Sequence, residues 1–159
     1  HVAEEVRRAV EDALGDVAAA LRNGKVVAGA GSCEMVLAEE LKKYADTIQG
    51  KEQFSILAFA ESMESIPHIL AENAGLDAID ILTKLRSAHK VKENKWIGVD
   101  VFLGTTMNAW ERGVIEPLEV KTLAISSAME VSEMILRIDD VFLGNVKKSL
   151  QETTETLPR

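Results

Sequence analysis

Apolar residues recur with a helical period through most of this chain, and that recurrence limits the possible fold before anything else does. Val2, Val6, Val10, Ala13, Val17 and Leu21 follow one another at steps of three and four, one stripe of a helix. Glu5, Arg8, Asp12 and Asp16 take other faces. Arg22-Asn23-Gly24-Lys25 ends the pattern, with Gly24 suited to a left-handed cap. Further helices are expected over residues 32–45, 51–72, 77–89 and 117–135. The second buries Met35, Leu37, Ala38, Leu41 and Ala45, and the third carries Phe54, Leu57, Ala58, Met63, Ile66 and Leu70. Pro67 inside the third pattern predicts a kink or break near Ser65. Gly75 closes that helix, and Asp77 caps the next with Asp80 in its first turn.

Strand signals are fewer. Val26-Val27 reads as a very short strand, and Trp96–Phe102 alternates with β-branched residues. Gly104–Gly113 reads as a turn with at most one helical turn, and Ile135–Phe142 as a closing strand. Asp139 and Asp140 give that strand the character of an edge, here one that pairs with another chain through the region of Ile138. The sum is a mainly α chain: about five helices and two or three short strands in one compact layer system.

Composition narrows the function classes. Apolar residues make up 47% and aromatics only 4%, so the core is aliphatic. A net charge of -8, with basic residues interleaved among acids, argues against a nucleic-acid groove. No apolar run reaches membrane-spanning length, and the amphipathic start is no signal peptide. Cys33 is the one cysteine, so no internal disulfide forms, which fits a reducing, cytoplasmic setting. The chain begins at His1 inside a helical pattern and reads as a piece of something longer. Residues 145–159 read as a polar, flexible tail.

The stretch Ala28-Gly29-Ala30-Gly31 is nearly free of side chains and runs into a helix start. Two readings stand: close packing of two backbones, or approach of an anion or nucleotide to unpartnered amides. No Gly-Lys-Ser/Thr follows, so it is not a P-loop. Asp12 lies on a polar helix face with nothing to single it out from Glu5 or Asp16. Glu116, just before Pro117, suits a helix N-cap worth ~0.3–1 kcal/mol, or an acceptor for a ligand's hydroxyls. His68 with Glu72 and His89 with Glu93 supply two ligands each, fewer than a metal site takes. Cys33 near a helix start reads as a buried small residue.

Several stretches taken together resemble one family. Glu4–Leu14, Val26–Leu41, Gly50–Leu82, Gly98–Phe102, Trp110 and Gly113–Val141 are similar to the C-terminal part of a group II chaperonin subunit of the thermosome type. The resemblance covers about residues 1–144. It implies a multihelical chaperonin equatorial-domain-like bundle with a few short strands. Residues 1–24 would be an intermediate-domain-like helix and 25–144 the C-terminal part of an ATP-binding equatorial domain. It implies an ATP-dependent chaperone that assembles with other subunits into double rings and folds non-native protein clients, with no nucleic-acid or membrane partner. The alternative is a non-enzymatic helical assembly module with a vestigial nucleotide site.

By position, Gly29, Ala30 and Gly31 match the family's turn beside the nucleotide's sugar and base. Glu116 matches the acid facing the ribose hydroxyls, and Asp100 and Val101 match positions near the adenine. Asp12 matches the aspartate that orients the attacking water. The cofactors implied are ATP and Mg2+, with the metal ligands expected in the family's N-terminal half along with its Gly-Asp-Gly-Thr-Thr loop, which this sequence lacks. The fragment alone is therefore not expected to hydrolyse ATP. Ala28, Ala30 and Asn108-Ala109 depart from the commoner Pro, Gly and Asp-Met. An alanine at position 30 is tolerated if its φ is negative.

Overall fold

A computed structural model describes residues 1–140. In order, the elements are α1 (Val2–Asn23), β1 (Val26–Ala28), α2 (Ser32–Ala45), α3 (Glu52–Asn73), α4 (Ala78–His89), a 3-10 turn (Lys92–Asn94), β2 (Ile97–Asp100), β3 (Thr105–Asn108), β4 (Ile115–Pro117) and α5 (Leu118–Leu136). The chain divides into two compact units, His1–Thr122 and the residues from Leu123 onward.

In the first unit α2, α3 and α4 pack around an aliphatic cluster of Met35, Ala71, Ala78, Ile81, Leu85 and Val99, flanked by Leu76, Leu82 and Ile97. Ala38, Ala45 and Ala60 are fully buried on α2 and α3. Alanines at such positions let two helix backbones approach closely and keep helix propensity high. Seven of the eleven apolar residues expected to be the interior of α2 and α3 are not buried in that sense: Leu37, Leu41, Leu57 and Leu70 are half-buried, and Phe54, Ala58 and Ile66 face solvent.

Two antiparallel ribbons complete this unit. Strand β1 pairs with β4, Val27 opposite Glu116, and β2 pairs with β3, Val99 opposite Thr106. The turns explain where helices stop. Gly24 adopts a left-handed φ of 63° and its N–H donates to Ala20 O. Asp77 accepts hydrogen bonds from the Ile79 and Asp80 amides and starts α4, as its sequence position predicts.

Four expectations change. Helix α3 runs unbroken through Pro67. The lost N–H and ring clash cost about 3 kcal/mol in an isolated helix, but Pro67 is fully buried and its ring lies against Gly31. Its packing holds the helix together. The strand at Trp96–Phe102 shortens to four residues because the Asp100 carboxylate accepts the Phe102 and Leu103 amides and turns the chain. Thr105–Asn108, read as turn, is a strand: the β-branched threonines pair back onto β2. Pro117 ends β4 rather than opening a helix, so Glu116 lies in a strand and caps nothing. Proline is tolerated there because a strand end needs no ladder donor.

The stripe of α1 is a helix face as expected, but it is not covered among the described residues: Val2, Val6, Val10, Val17 and Leu21 are all exposed. In the second unit the rest of α5 likewise exposes Leu123, Met129, Met134 and Leu136. Ile135 and Leu136, expected in a closing strand, are helical, and Ile138–Asp140 form neither helix nor strand. The remainder of that expected strand and the tail 145–159 lie outside the described residues.

One ion-pair cluster ties the three core helices together. Glu64 of α3 has a buried side chain and is bound by Lys42 of α2 at 2.6 Å and by Arg86 of α4 at 2.6 and 3.0 Å. Burial alone would raise the Glu64 carboxyl; the hydrogen bonds from Arg86 and Lys42 outweigh it and hold the group below the ordinary value of 4.5. A carboxyl lowered in the folded state stabilises the fold above its unfolded pKa, and that contribution disappears as pH falls through the lower, folded value. We therefore expect Glu64→Gln to cost about 1–3 kcal/mol at neutral pH, and to flatten the acid limb below about pH 4.5. Urea midpoints measured across pH test both; a variant with the wild-type acid limb would assign that limb to other carboxylates.

Candidate functional site

The side-chain-free bend sits between the two ribbons and is stitched to both. The Gly29 N–H donates to Val114 O, just ahead of β4, at 3.0 Å. On the other side the Val99 N–H of β2 donates to Ala30 O at 2.9 Å. Within the bend the Ser32 N–H donates to Gly29 O at 3.1 Å and leads into α2.

Each stripped position faces a neighbour. A Cβ on Gly29 would lie 2.5 Å from Glu116 Oε1, and one on Gly31 would lie 2.7 Å from the Cβ of Pro67. Gly31 also has a left-handed φ of 77°. Glycine is thus required at both ends of the bend, by space at the first and by space and backbone at the second. Of the two readings of this stretch, close packing is what the protein atoms themselves display. Ala30 has a φ of 57°, contrary to the expectation of a negative angle. Its methyl stands off β2 only because position 98 is also glycine.

Glu116 reaches the bend from β4. Its Oε2 is 2.7 Å from Lys121 Nζ, and the same nitrogen is 2.6 Å from Glu34 Oε1. Glu34 is buried in the first turn of α2, and its Oε2 has no hydrogen-bond partner among the described residues; neither has the buried Ser32 Oγ. Burial works to depress the Lys121 ammonium, but its hydrogen bonds to Glu116 and Glu34 prevail and hold it above the ordinary lysine range. Desolvation first, then the Glu34 charge, raises Cys33, so this thiol stays protonated and unreactive.

Asp100 is buried and adjoins the bend through Val99. Its carboxylate accepts two amides of its own turn and lies 3.9 Å from Arg112. Val101 follows in that turn, exposed. Asp12 stands exposed on α1. One turn further on, Asp16, Val17 and Ala20 line a small cavity of about 100 Å³ with Val26, Ile115, Glu116 and Pro117. The structure thus brings Gly29–Gly31, Asp100 and Glu116 into one neighbourhood, and leaves Asp12 outside it. His68 and Glu72 stand 3.7 Å apart, and the His89 ring is bound to Ile97 O. Among the described residues no group of three potential ligands gathers for a metal.

Sequence reasoning missed Lys121. Its signal was the acid–base spacing: one cation in the first turn of a helix, five residues after Glu116, in a stretch otherwise poor in base.

The comparisons with known proteins identify the class to which this multihelical body belongs. The model of the TCP-1/cpn60 chaperonin family matches residues 1–144. This chain belongs to that family. It is 53% identical to the thermosome subunit beta of Methanothermobacter thermautotrophicus over 157 residues, covering 99% of this chain and 29% of that protein. It is 54% identical to the thermosome subunit of Methanocaldococcus jannaschii, covering 93% and 27% respectively. Its fold matches the open-state monomer of a group II chaperonin from Methanococcoides burtonii with a TM-score of 0.76 and 50% identity, over 87% of this chain and 34% of that one. The chain spans about a third or less of the length of these relatives.

The left-handed alanine gives a direct test. A residue with a Cβ at such an angle costs roughly 1–2 kcal/mol relative to glycine. Ala30→Gly is expected to stabilise the chain by about 1 kcal/mol, read as a higher urea midpoint. A lower midpoint would show that the methyl's contact with β2 outweighs the backbone strain.

Proposed function

We propose that this chain is part of an ATP-dependent group II chaperonin subunit, which assembles with other subunits into cytoplasmic rings and folds non-native proteins. Residues 1–24 act as an intermediate-domain helix, and residues from 25 onward belong to an equatorial, nucleotide-binding domain. The observation that carries this reading is the juxtaposition of the bend at Gly29, Ala30 and Gly31 with the Glu116 carboxylate, inside a region matched throughout by the chaperonin family model.

The residues present suit one end of ATP and not the other. An adenosine needs a flat approach and a hydroxyl acceptor. The bend offers a half-buried surface at Ala30, between Gly29 covered by Glu116 and Gly31 covered by Pro67, and Glu116, about one-third exposed, supplies the acceptor. Asp100 and Val101 border the base, Asp100 by shaping the turn rather than by offering its carboxylate, which is already engaged. A triphosphate needs cations and Mg2+. Lys121 beside the bend is already bound by two carboxylates, and this sequence has no Gly-Asp-Gly-Thr-Thr loop. Bound ATP would supply the phosphoryl group whose transfer drives the conformational cycle. This chain's part is to hold the nucleoside and, through Asp12, to orient the attacking water.

Two outcomes are expected. In the intact gene product Asp12→Ala retains ATP binding and loses most hydrolysis, on the order of 10²-fold or more, in a phosphate-release assay. No change in either would favour a helical assembly module instead. The 159-residue chain alone shows no steady ATP turnover; sustained phosphate release by the purified chain would overturn the division of labour proposed.

A further inference from the structure

We infer that Lys121 is a positioning residue: anchored on the buried Glu34, it fixes the Glu116 carboxylate against the Gly29 bend and so sets the preference for a ribose over a 2′-deoxyribose. The inference rests on the nucleoside reading of Glu116 above and adds to it the device that holds that acid in place.

Three elements meet at one nitrogen. Lys121 lies in the first turn of α5, Glu34 in the first turn of α2, and Glu116 in β4. The two oxygens are 2.6 and 2.7 Å from Nζ, and the Lys121 side chain is only 18% exposed. The two acids are unequal. The Glu34 side chain is 4% exposed and that of Glu116 is 32% exposed. Glu34 is therefore withdrawn from any ligand and serves as the anchor, while Glu116 is the acid a ligand can reach.

Geometry explains why an anchor is needed. A partly exposed glutamate on a short strand has three side-chain torsions to fix. Here Lys121 takes Oε2, which leaves Oε1 directed over Gly29. A carboxylate in a fixed plane can accept from vicinal hydroxyls together; a free one meets them one at a time. Loss of the 2′-hydroxyl then removes an interaction that only the held carboxylate makes in full.

Lys121→Met alone would leave Glu34 buried and unpaired, since its Oε2 already has no partner among the described residues. The test therefore uses the double variant Glu34→Gln/Lys121→Met in the intact gene product, beside Lys121→Arg and Glu116→Gln. Kd values for ATP and 2′-deoxy-ATP are measured by titration calorimetry without turnover, and KM and kcat separately. The wild type is expected to favour ATP by about tenfold, the equivalent of one good hydrogen bond. The double variant brings that ratio to within about twofold of unity, through Kd and KM rather than kcat. Lys121→Arg restores most of it. A folded double variant that keeps the wild-type ratio would overturn the positioning role. Should the double variant not fold, Glu34→Met alone carries the test, because it removes the acceptor that anchors Lys121 while the lysine keeps its pairing with Glu116. Glu116→Gln separates the two levels: a wild-type ratio in that variant would sink the ribose reading itself, whereas a lost ratio there beside an intact one in the double variant would sink only the role of Lys121.

Discussion

The close approach of three backbones at Gly29–Gly31 is the constraint on which the first unit depends. Through this bend β1 pairs with β4, β2 is tied to the turn ahead of α2, and α3 presses its proline against the helix start. A side chain at position 29 or 31 would displace Glu116 or Pro67. One strip of bare chain thereby registers two ribbons against a helical core. It also explains two local irregularities at once: α3 keeps a buried proline because that ring packs directly on Gly31, and β2 carries Gly98 because the Ala30 carbonyl needs to reach the Val99 amide.

Charge is used sparingly inside this acidic chain. Among the described residues the buried glutamates, Glu34 and Glu64, each recruit lysine or arginine from another helix. Such clusters are weak sources of net stability, because desolvation takes back much of the Coulomb gain. They do penalise misregistered packings, in which a buried carboxylate would lose its partner. Glu64 fixes how α2, α3 and α4 sit together, and Lys121 fixes how α5 begins. With a core of small aliphatic side chains and few aromatics, shape alone discriminates poorly among helix registers, so this polar specification supplements it.

Much of the architecture was legible because local chemistry decided it. Helix α2 begins at Ser32 and ends at Ala45 as its pattern indicates, and Gly24 and Asp77 act as caps by their own backbone and side-chain preferences. What was not legible depended on partners distant in sequence. Pro67 reads as a break until Gly31 is known to receive it. Thr105–Asn108 reads as a turn until β2 lies beside it, and Glu116–Pro117 reads as a helix start until β1 claims it as a strand. At the candidate site, the bend stands out by composition, whereas Glu116 reads as a helix cap and is matched to a ribose-facing acid only through the family resemblance. Lys121 did not, since its meaning lies in Glu34, far away in the chain.

Helix α1 meets the rest of its unit at one end, where Asn23 bonds Glu119 and Gly24 turns the chain into β1. At 1.5 Å per residue, Asp12 lies about 17 Å up the rod from that anchorage. A tilt of about 10° at the pivot therefore sweeps its carboxylate through about 3 Å, the length of one hydrogen bond. A lever arm of this kind converts a small angular displacement near Gly24 into the making or breaking of a single contact at Asp12, with no rearrangement of the packed body below.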